Sequence, residues 1–77
     1  MSEVVLFHTD GCHLCEQAAD LLAQAGQPVK MEDIVTRPEW VEQYGIRIPV
    51  VRRADGAELG WPFDLDSLKQ FLEDAAV

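Results

Sequence analysis

The sequence predicts an α/β sandwich, with a four-stranded mixed sheet covered by helices on both faces and the element order βαβαββα. Three observations support this fold class. The apolar residues alternate between strand-like runs and helical spacing along the chain. A strand–helix–strand unit opens the chain, and a hairpin followed by an amphipathic helix closes it. The 77 residues are expected to form one domain, residues 1–77, because a chain of this length has room for a single core.

The first half of the chain reads as strand, helix and strand. Residues 4–7 are a continuous β-favouring run, typical of a strand covered on both faces. Apolar residues then recur at helical spacing from Leu14 to Ala25, and Gly26 is a helix stop. A second strand from Val29 to about Ile34 is expected to lie parallel to the first, because a helix connects them.

The second half reads as helix, hairpin and helix. Thr36 is expected to cap a short helix that runs to Tyr44, since a proline and a glutamate follow it as in a capping box. Residues 48–52 and 57–59 are expected to form antiparallel strands joined by an Ala-Asp-Gly turn. Asp64 precedes the apolar stripe of the last helix as a plausible cap.

The acidic composition argues against nucleic acid and membranes as partners. The formal net charge is −8, from 14 acidic and 6 basic residues, which repels polyanions. No apolar run approaches the about 20 residues that span a bilayer, and the amino-terminal MSEVVLF lacks the features of a signal peptide. We therefore expect a cytoplasmic protein, and we separately expect it to be a monomer.

Cys12 and Cys15 are the only cysteines, and they lie where the first strand gives way to the first helix. In a reducing cytoplasm such a pair is more often catalytic or metal-binding than structural. Backbone N–H groups and the helix dipole would lower the pKa of the Cys12 thiol. Cys15, one turn further on, can then attack a mixed disulfide on Cys12. A CxxC pair at this junction favours redox exchange, with Cys12 as nucleophile.

Two other functions stay open for the cysteine pair. A zinc or copper module would use both thiolates, but zinc needs about four ligands and the chain adds only His8 and His13 as helpers, so such a site would be shared across a dimer. A non-catalytic binding module would instead hold a partner in the groove beside Pro49. The two cysteines also have a purely structural interpretation as inert buried thiols.

Several motifs together resemble the glutaredoxin branch of the thioredoxin fold, and most closely short bacterial glutaredoxin-like proteins. They are Cys12 and Cys15, the Ile48–Pro49 pair before Val50, and the segment from Gly60 to Leu65. The resemblance spans the chain and implies a thiol-disulfide oxidoreductase acting on protein or small-thiol disulfides. It also implies a cis Ile48–Pro49 bond facing the cysteines, with the backbone of Ile48 pairing with substrate. No organic cofactor is required, since electrons would come from glutathione or a reductase protein.

The chain departs from the family pattern around the expected glutathione site. Asp10 stands two residues before Cys12, where the family usually carries a lysine nearby, and it would either oppose the thiolate or cap the helix. The family's glycine pair is replaced by Gly60 and Trp61, so Trp61 would fill the groove or contact substrate. Asp64 would bind an amino group or act only as a cap. These departures disfavour glutathione as the reductant.

Other candidate residues have both a functional and a structural interpretation. His13 would stabilise the Cys12 thiolate if protonated, or be an exposed histidine without effect. Arg47 adjoins Ile48 and Pro49, which we call the proline loop, and would meet a substrate carboxylate, or be solvated. Trp40 and Tyr44, four residues apart on the short helix, are expected to be a packed pair.

Overall fold

The computed structural model describes residues 3–74 and has the predicted order of elements. A 3-10 turn at residues 34–36 precedes the second helix. The elements are β1 (Val4–His8), α1 (His13–Gln24), β2 (Val29–Asp33), α2 (Pro38–Tyr44), β3 (Val50–Arg52), β4 (Glu58–Gly60) and α3 (Leu65–Asp74). Across residues 3–74, no helix is both long and apolar enough to cross a membrane.

The four strands form one mixed sheet in the order β2-β1-β3-β4. β1 and β2 are parallel, in a register that runs from Val4 opposite Val29 to His8 opposite Asp33. β3 is antiparallel to both β1 and β4. The prediction of a parallel pair extended by an antiparallel hairpin is therefore confirmed.

Alternating side chains of β1 supply two separate cores, one on each face of the sheet. Val4 and Leu6 pack with α1 and α3, whereas Phe7 packs on the side of α2. The first core contains Val4, Leu6, Ala18, Leu22, Val51, Phe63 and Leu68. The second contains Phe7, Ile34, Tyr44 and Val50. Complete burial of a large apolar side chain stabilises the fold by about 1.5 to 3 kcal/mol, so α1 and α3 are held to the sheet mainly by such contacts.

The aromatic residues of α2 pack against β1. The Tyr44 ring stacks on Phe7 with centroids 4.2 Å apart, and Trp40 meets the Phe7 ring edge-on at 5.2 Å. The structural interpretation of Trp40 and Tyr44 therefore holds, although Phe7 is the ring on which both of them pack.

The prediction that Thr36 caps α2 is wrong. The residue before Pro38 is Arg37, which has extended backbone and makes no side-chain cap hydrogen bond. Thr36 instead ends the 3-10 turn, where its hydroxyl donates to the Asp33 carbonyl. Asp33 caps that turn by accepting from the Val35 N–H at 3.1 Å.

The predicted start of β3 is also displaced, because pairing begins at Val50 rather than at residue 48. Pro49 has no N–H to donate, and the Ile48 N–H donates to the Tyr44 carbonyl. The fourth strand lies one residue later than predicted. At α3, by contrast, the predicted cap is confirmed, because Asp64 accepts from the Ser67 N–H at 2.7 Å.

Candidate active site

The segments singled out in the sequence meet at one end of the sheet. Phe7 lies opposite Val50, so His8 at the end of β1 and Pro49 just before β3 occupy the same edge. The Trp61 N–H donates to the Pro49 carbonyl at 3.1 Å, which ties the segment after β4 to the proline loop. The loop at residues 9–11 leads from this edge to the cysteine pair.

A tight turn delivers Cys12 to the start of α1. The Cys12 N–H donates to the Thr9 carbonyl at 3.4 Å, and Gly11 within that turn has φ +76°. Cys12 itself is the N-cap residue, because its Sγ accepts a hydrogen bond from the Cys15 N–H at 3.2 Å. The interpretation of Asp10 as the cap of this helix is therefore wrong, and Asp10 lies exposed in the turn.

Cys12 and Cys15 form a disulfide, with their Cα atoms 5.2 Å apart. Cys15 is buried, with 4% of its surface exposed, whereas Cys12 is only partly buried. An external disulfide or thiol therefore reaches Cys12 more easily than Cys15. After reduction, the Cys15 N–H and the amino-terminal end of α1 would favour the negative charge of a Cys12 thiolate.

The proline loop is held to the end of α2 by backbone hydrogen bonds. The Tyr44 carbonyl accepts from the N–H groups of Arg47 at 2.8 Å and Ile48 at 3.0 Å. The Ile48–Pro49 bond is cis, the configuration that the family resemblance implies, and Pro49 is fully buried. Tyr44 is thus the residue that positions the loop.

A side-chain cluster of Tyr44, Glu58 and Arg47 surrounds this anchor. The Tyr44 hydroxyl donates to Glu58, and Arg47 pairs with the same carboxylate at 3.2 Å. The Arg47 guanidinium lies 5.4 Å from the centre of the Tyr44 ring. Burial, followed by the hydrogen bond and negative charge of Glu58, raises the pKa of Tyr44 above its usual 10.0, and Arg52 acts in the opposite direction. Sequence reasoning found Arg47 but missed the other two residues as parts of the site.

The remaining predicted site residues have structural partners. His13 is almost fully exposed and its Nδ1 lies 3.5 Å from Glu16 Oε2. Trp61 is half-buried and its ring meets Phe63 edge-on, with centroids 5.0 Å apart. Asp64 caps α3, and the Ser67 backbone hydrogen bond lowers the pKa of its carboxyl below the usual 3.8.

An open groove of about 190 Å³ lies beside the cysteine pair, between α1 and β2. Both cysteines line it, together with Ala19 and the half-exposed Met31, and Asp10 and Glu16 contribute carboxylates. None of the lysines or arginines within residues 3–74 lines this groove. We refer to it below as the acidic groove.

Nothing in residues 3–74 gathers the ligands of a mononuclear metal site. No group of three or more His, Cys, Asp and Glu side chains in this part of the chain is arranged to hold a metal ion. His8 lines the acidic groove with the cysteines, whereas His13 pairs with Glu16. Within residues 3–74, the metal-binding alternative would therefore need further ligands from another molecule to complete a four-ligand zinc site.

Comparison with known proteins agrees with this architecture. The family model described as Glutaredoxin-like domain (DUF836) matches residues 3–73. The X-ray structure of protein XcR50 from X. campestris, a structural genomics target, is 40% identical over 94% of this chain and 97% of that chain, with a TM-score of 0.89. Its solution structure is 39% identical over 97% and 96% of the two chains, with a TM-score of 0.86. No curated protein matches the sequence.

A more distant structure shows the fold alone. The glutaredoxin (grx-1) from Archaeoglobus fulgidus is 20% identical over 94% of this chain and 87% of that chain, with a TM-score of 0.69. The predicted fold class, a thioredoxin-like sandwich of the glutaredoxin type, is therefore confirmed, and the Cys12–Cys15 pair on this fold supports a redox function.

Proposed function

The chain belongs to the family of glutaredoxin-like domains, and from this premise we propose that it is a thiol-disulfide oxidoreductase with Cys12 as nucleophile and Cys15 as resolving thiol. The observation that carries the proposal is the unequal exposure of the two bridged cysteines at the start of α1. The accessible sulfur accepts a backbone N–H, and the buried sulfur lies within bonding reach of it.

The exchange proceeds in two steps. The Cys12 thiolate attacks one sulfur of a substrate disulfide, which forms a mixed disulfide and releases the first substrate thiol. The Cys15 thiolate then attacks the Cys12 sulfur, closes the intramolecular disulfide and releases the second substrate thiol. Two electrons pass from the cysteine pair to the substrate, and the two protons of the enzyme thiols end on the two substrate thiols.

The proline loop would align the substrate. The Ile48 N–H is already bonded to Tyr44, so a substrate strand would pair with Ile48 through its carbonyl, which accepts a substrate N–H. Arg47 would meet a substrate carboxylate only in competition with Glu58. Trp61 would contribute an aromatic wall next to the loop.

We also propose where the protein acts, which substrates it takes and which reductant it uses. The protein would act as a cytoplasmic monomer without an organic cofactor or metal. Its substrates would be disulfides of proteins or small thiols. Its reductant would be a reductase protein in preference to glutathione, because Asp10 and Trp61 occupy positions where glutaredoxins carry features that favour glutathione.

A redox titration tests this function directly. The cysteine pair is equilibrated in thiol-disulfide buffers of known potential and its oxidation is measured by mass after acid quenching, with Cys12→Ser and Cys15→Ser as controls. We expect a reversible two-electron transition between roughly −180 and −270 mV that both variants lose. The Cys15→Ser variant should accumulate the mixed disulfide, whereas Cys12→Ser should form none. Absence of a reversible transition in metal-free protein would refute the proposal.

A further inference from the structure

The stretch of chain that contains the cysteine pair carries acidic residues but no lysine or arginine. Every lysine and arginine of the chain lies at residue 30 or later, so the stretch that forms β1, the active-site turn and α1 contains none. Asp10, Glu16 and Asp20 are the acidic residues of this stretch, and Glu3 directly precedes it. Glu16 and Asp20 are four residues apart and lie on the same side of α1. The surface next to the reacting sulfur is therefore negative.

The acidic groove places this negative charge beside an apolar surface. It lies on the β2 side of the cysteine pair, whereas the proline loop leads into β3 on the other side of β1. Its floor contains Ala19 and Met31, and its rim carries the exposed carboxylates of Asp10 and Glu16. An apolar floor with an anionic rim matches a lysine or arginine side chain, whose methylene stem packs on apolar surface while its charged head remains in water.

We propose, as an extension of the proposed oxidoreductase function, that the substrate is a cationic polypeptide disulfide. The reacting substrate cysteine meets Cys12, and a lysine or arginine beside that cysteine occupies the acidic groove and pairs with Asp10 and Glu16. The backbone on the other side of the cysteine runs along the proline loop. Asp10 is the groove carboxylate nearest in sequence to Cys12. Glu16, at the rim, also pairs with His13.

The same charges discriminate against anionic disulfides. Oxidised glutathione carries a net negative charge, and it would have to approach Cys12 past two carboxylates, while Arg47 beside the proline loop already pairs with Glu58. Like charges at the rim of a site lower association rates, and opposite charges raise them, with an effect that falls as salt is added. The preference should therefore appear in the rate of the first exchange step.

Single-turnover oxidation of the reduced protein tests the proposal without any external reductant. The substrates are three disulfide peptides that differ only in the residues flanking cysteine, which are lysine, glutamine or glutamate, and hydroxyethyl disulfide serves as an uncharged reference. The second-order rate constant is measured by acid quenching and mass. At low ionic strength we expect the lysine peptide to react about tenfold faster than the glutamate peptide, and most of the difference to disappear in about 1 M salt.

A pair of matched variants assigns the preference to the groove. The double substitution Asp10→Asn with Glu16→Gln should remove most of the lysine preference. The control, Glu42→Gln with Glu73→Gln, changes the net charge equally at exposed positions on α2 and α3 and should retain the preference. The control variant should keep the wild-type rate with hydroxyethyl disulfide within about twofold. For each protein the peptide rates are divided by its own rate with this uncharged disulfide, so that a change in the reactivity of Cys12 is separated from a change in substrate preference.

The two levels of the proposal fail in different ways. Equal rates for the three peptides, or an equal loss of preference in the control variant, would refute the cationic substrate and leave the oxidoreductase function standing. Absence of exchange with all four disulfides would refute the oxidoreductase function and the substrate class with it.

Discussion

Replacing Tyr44 with phenylalanine isolates the hydrogen bond that joins α2 to β4. The substitution keeps the ring that stacks on Phe7 and keeps the backbone carbonyl that holds the proline loop, but removes the hydroxyl that donates to Glu58. Hydrogen bonds to charged groups contribute about 1.5 to 3 kcal/mol. Glu58 would still pair with Arg47, so we expect the lower value, about 1.5 kcal/mol.

The assay is urea unfolding of the oxidised protein at pH 7, followed by circular dichroism. For a domain of this size the dependence of the free energy on urea is about 1 kcal/mol per molar, so the midpoint should fall by about 1.5 M. The rate of disulfide exchange should change little, because the variant retains both backbone hydrogen bonds to the proline loop. An unchanged midpoint would refute the role assigned to the hydroxyl.

The raised pKa of Tyr44 can be checked by absorbance spectroscopy. Tyr44 is the only tyrosine in the chain, so the tyrosinate absorbance reports on it alone. Its pKa is raised by burial and by Glu58, and the folded protein should therefore titrate above 10.0. In Glu58→Gln, which retains an acceptor oxygen but loses the charge, the pKa should move towards 10.0 and remain above it because burial is the largest cause.

The direction of the linked stability change follows from the raised pKa. Below pH 10 tyrosine is protonated in both states, and the contribution of this group to stability is fully present. As the pH rises through 10 and then through the folded pKa, the unfolded state ionises first and the protein loses stability. The Tyr44→Phe variant lacks this loss, so the stability gap between the two proteins should narrow above pH 10. A titration midpoint at or below 10.0 in folded protein would contradict the reasoning.

Two further substitutions test the backbone of the site and the cap of α3. Gly11→Ala should destabilise the oxidised protein by about 1 to 2 kcal/mol in urea unfolding, because φ is +76° there and no neighbouring atom adds a clash. Gly60→Ala, which has open space and no positive φ, should be near neutral, and equal effects would contradict this explanation. Asp64→Ala should lower the thermal midpoint at pH 7 by removing the acceptor of the Ser67 N–H. Because the pKa of Asp64 is lowered in the folded state, its contribution to stability is present above pH 3.8 and is lost as the pH falls through the folded pKa. The thermal midpoints of the wild type and Asp64→Ala should therefore converge at low pH. A difference that does not change with pH would argue against the cap.

The order of elements was predictable because each change of hydrophobic period coincides with local turn chemistry. The apolar run of β1, the stripe of α1 and the stop at Gly26 all indicate the same boundaries. Agreement between levels is what lets a sequence specify one fold. The cap of α2 was less predictable, because Asp33 and Thr36 are both good capping residues and compete for a turn within four positions of each other.

The interpretation of Asp10 as the cap of α1 failed because a second residue can perform the same task. Aspartate is a preferred N-cap and cysteine is not. In this chain the tight turn places Cys12 at the cap position, and its sulfur accepts the hydrogen bond. Propensity ranks residue types, but the backbone of the turn decides which residue stands at the cap.

The contacts around the proline loop could not be predicted from local sequence patterns. Tyr44 and Glu58 are 14 residues apart, and their hydrogen bond requires the hairpin to fold back beside α2. Arg47 was recognisable because it adjoins Ile48 and Pro49 in sequence, yet the sequence gives no indication that Glu58 pairs with it. Contacts of this kind depend on strand order and register, which no local pattern encodes.

In the proposed function, the groups that would perform exchange are separate from those that would choose the substrate. Stabilisation of a Cys12 thiolate would come from the backbone at the start of α1, and the Ile48 carbonyl that would pair with substrate belongs to the backbone of the proline loop. Both should therefore tolerate changes in neighbouring side chains. Asp10 and Glu16 contribute only side chains at the rim of the groove. On this proposal, the charge at position 10 can change sign without loss of the groups that would carry the exchange. The reactivity of Cys12 and the preference for cationic disulfides should accordingly respond to different substitutions.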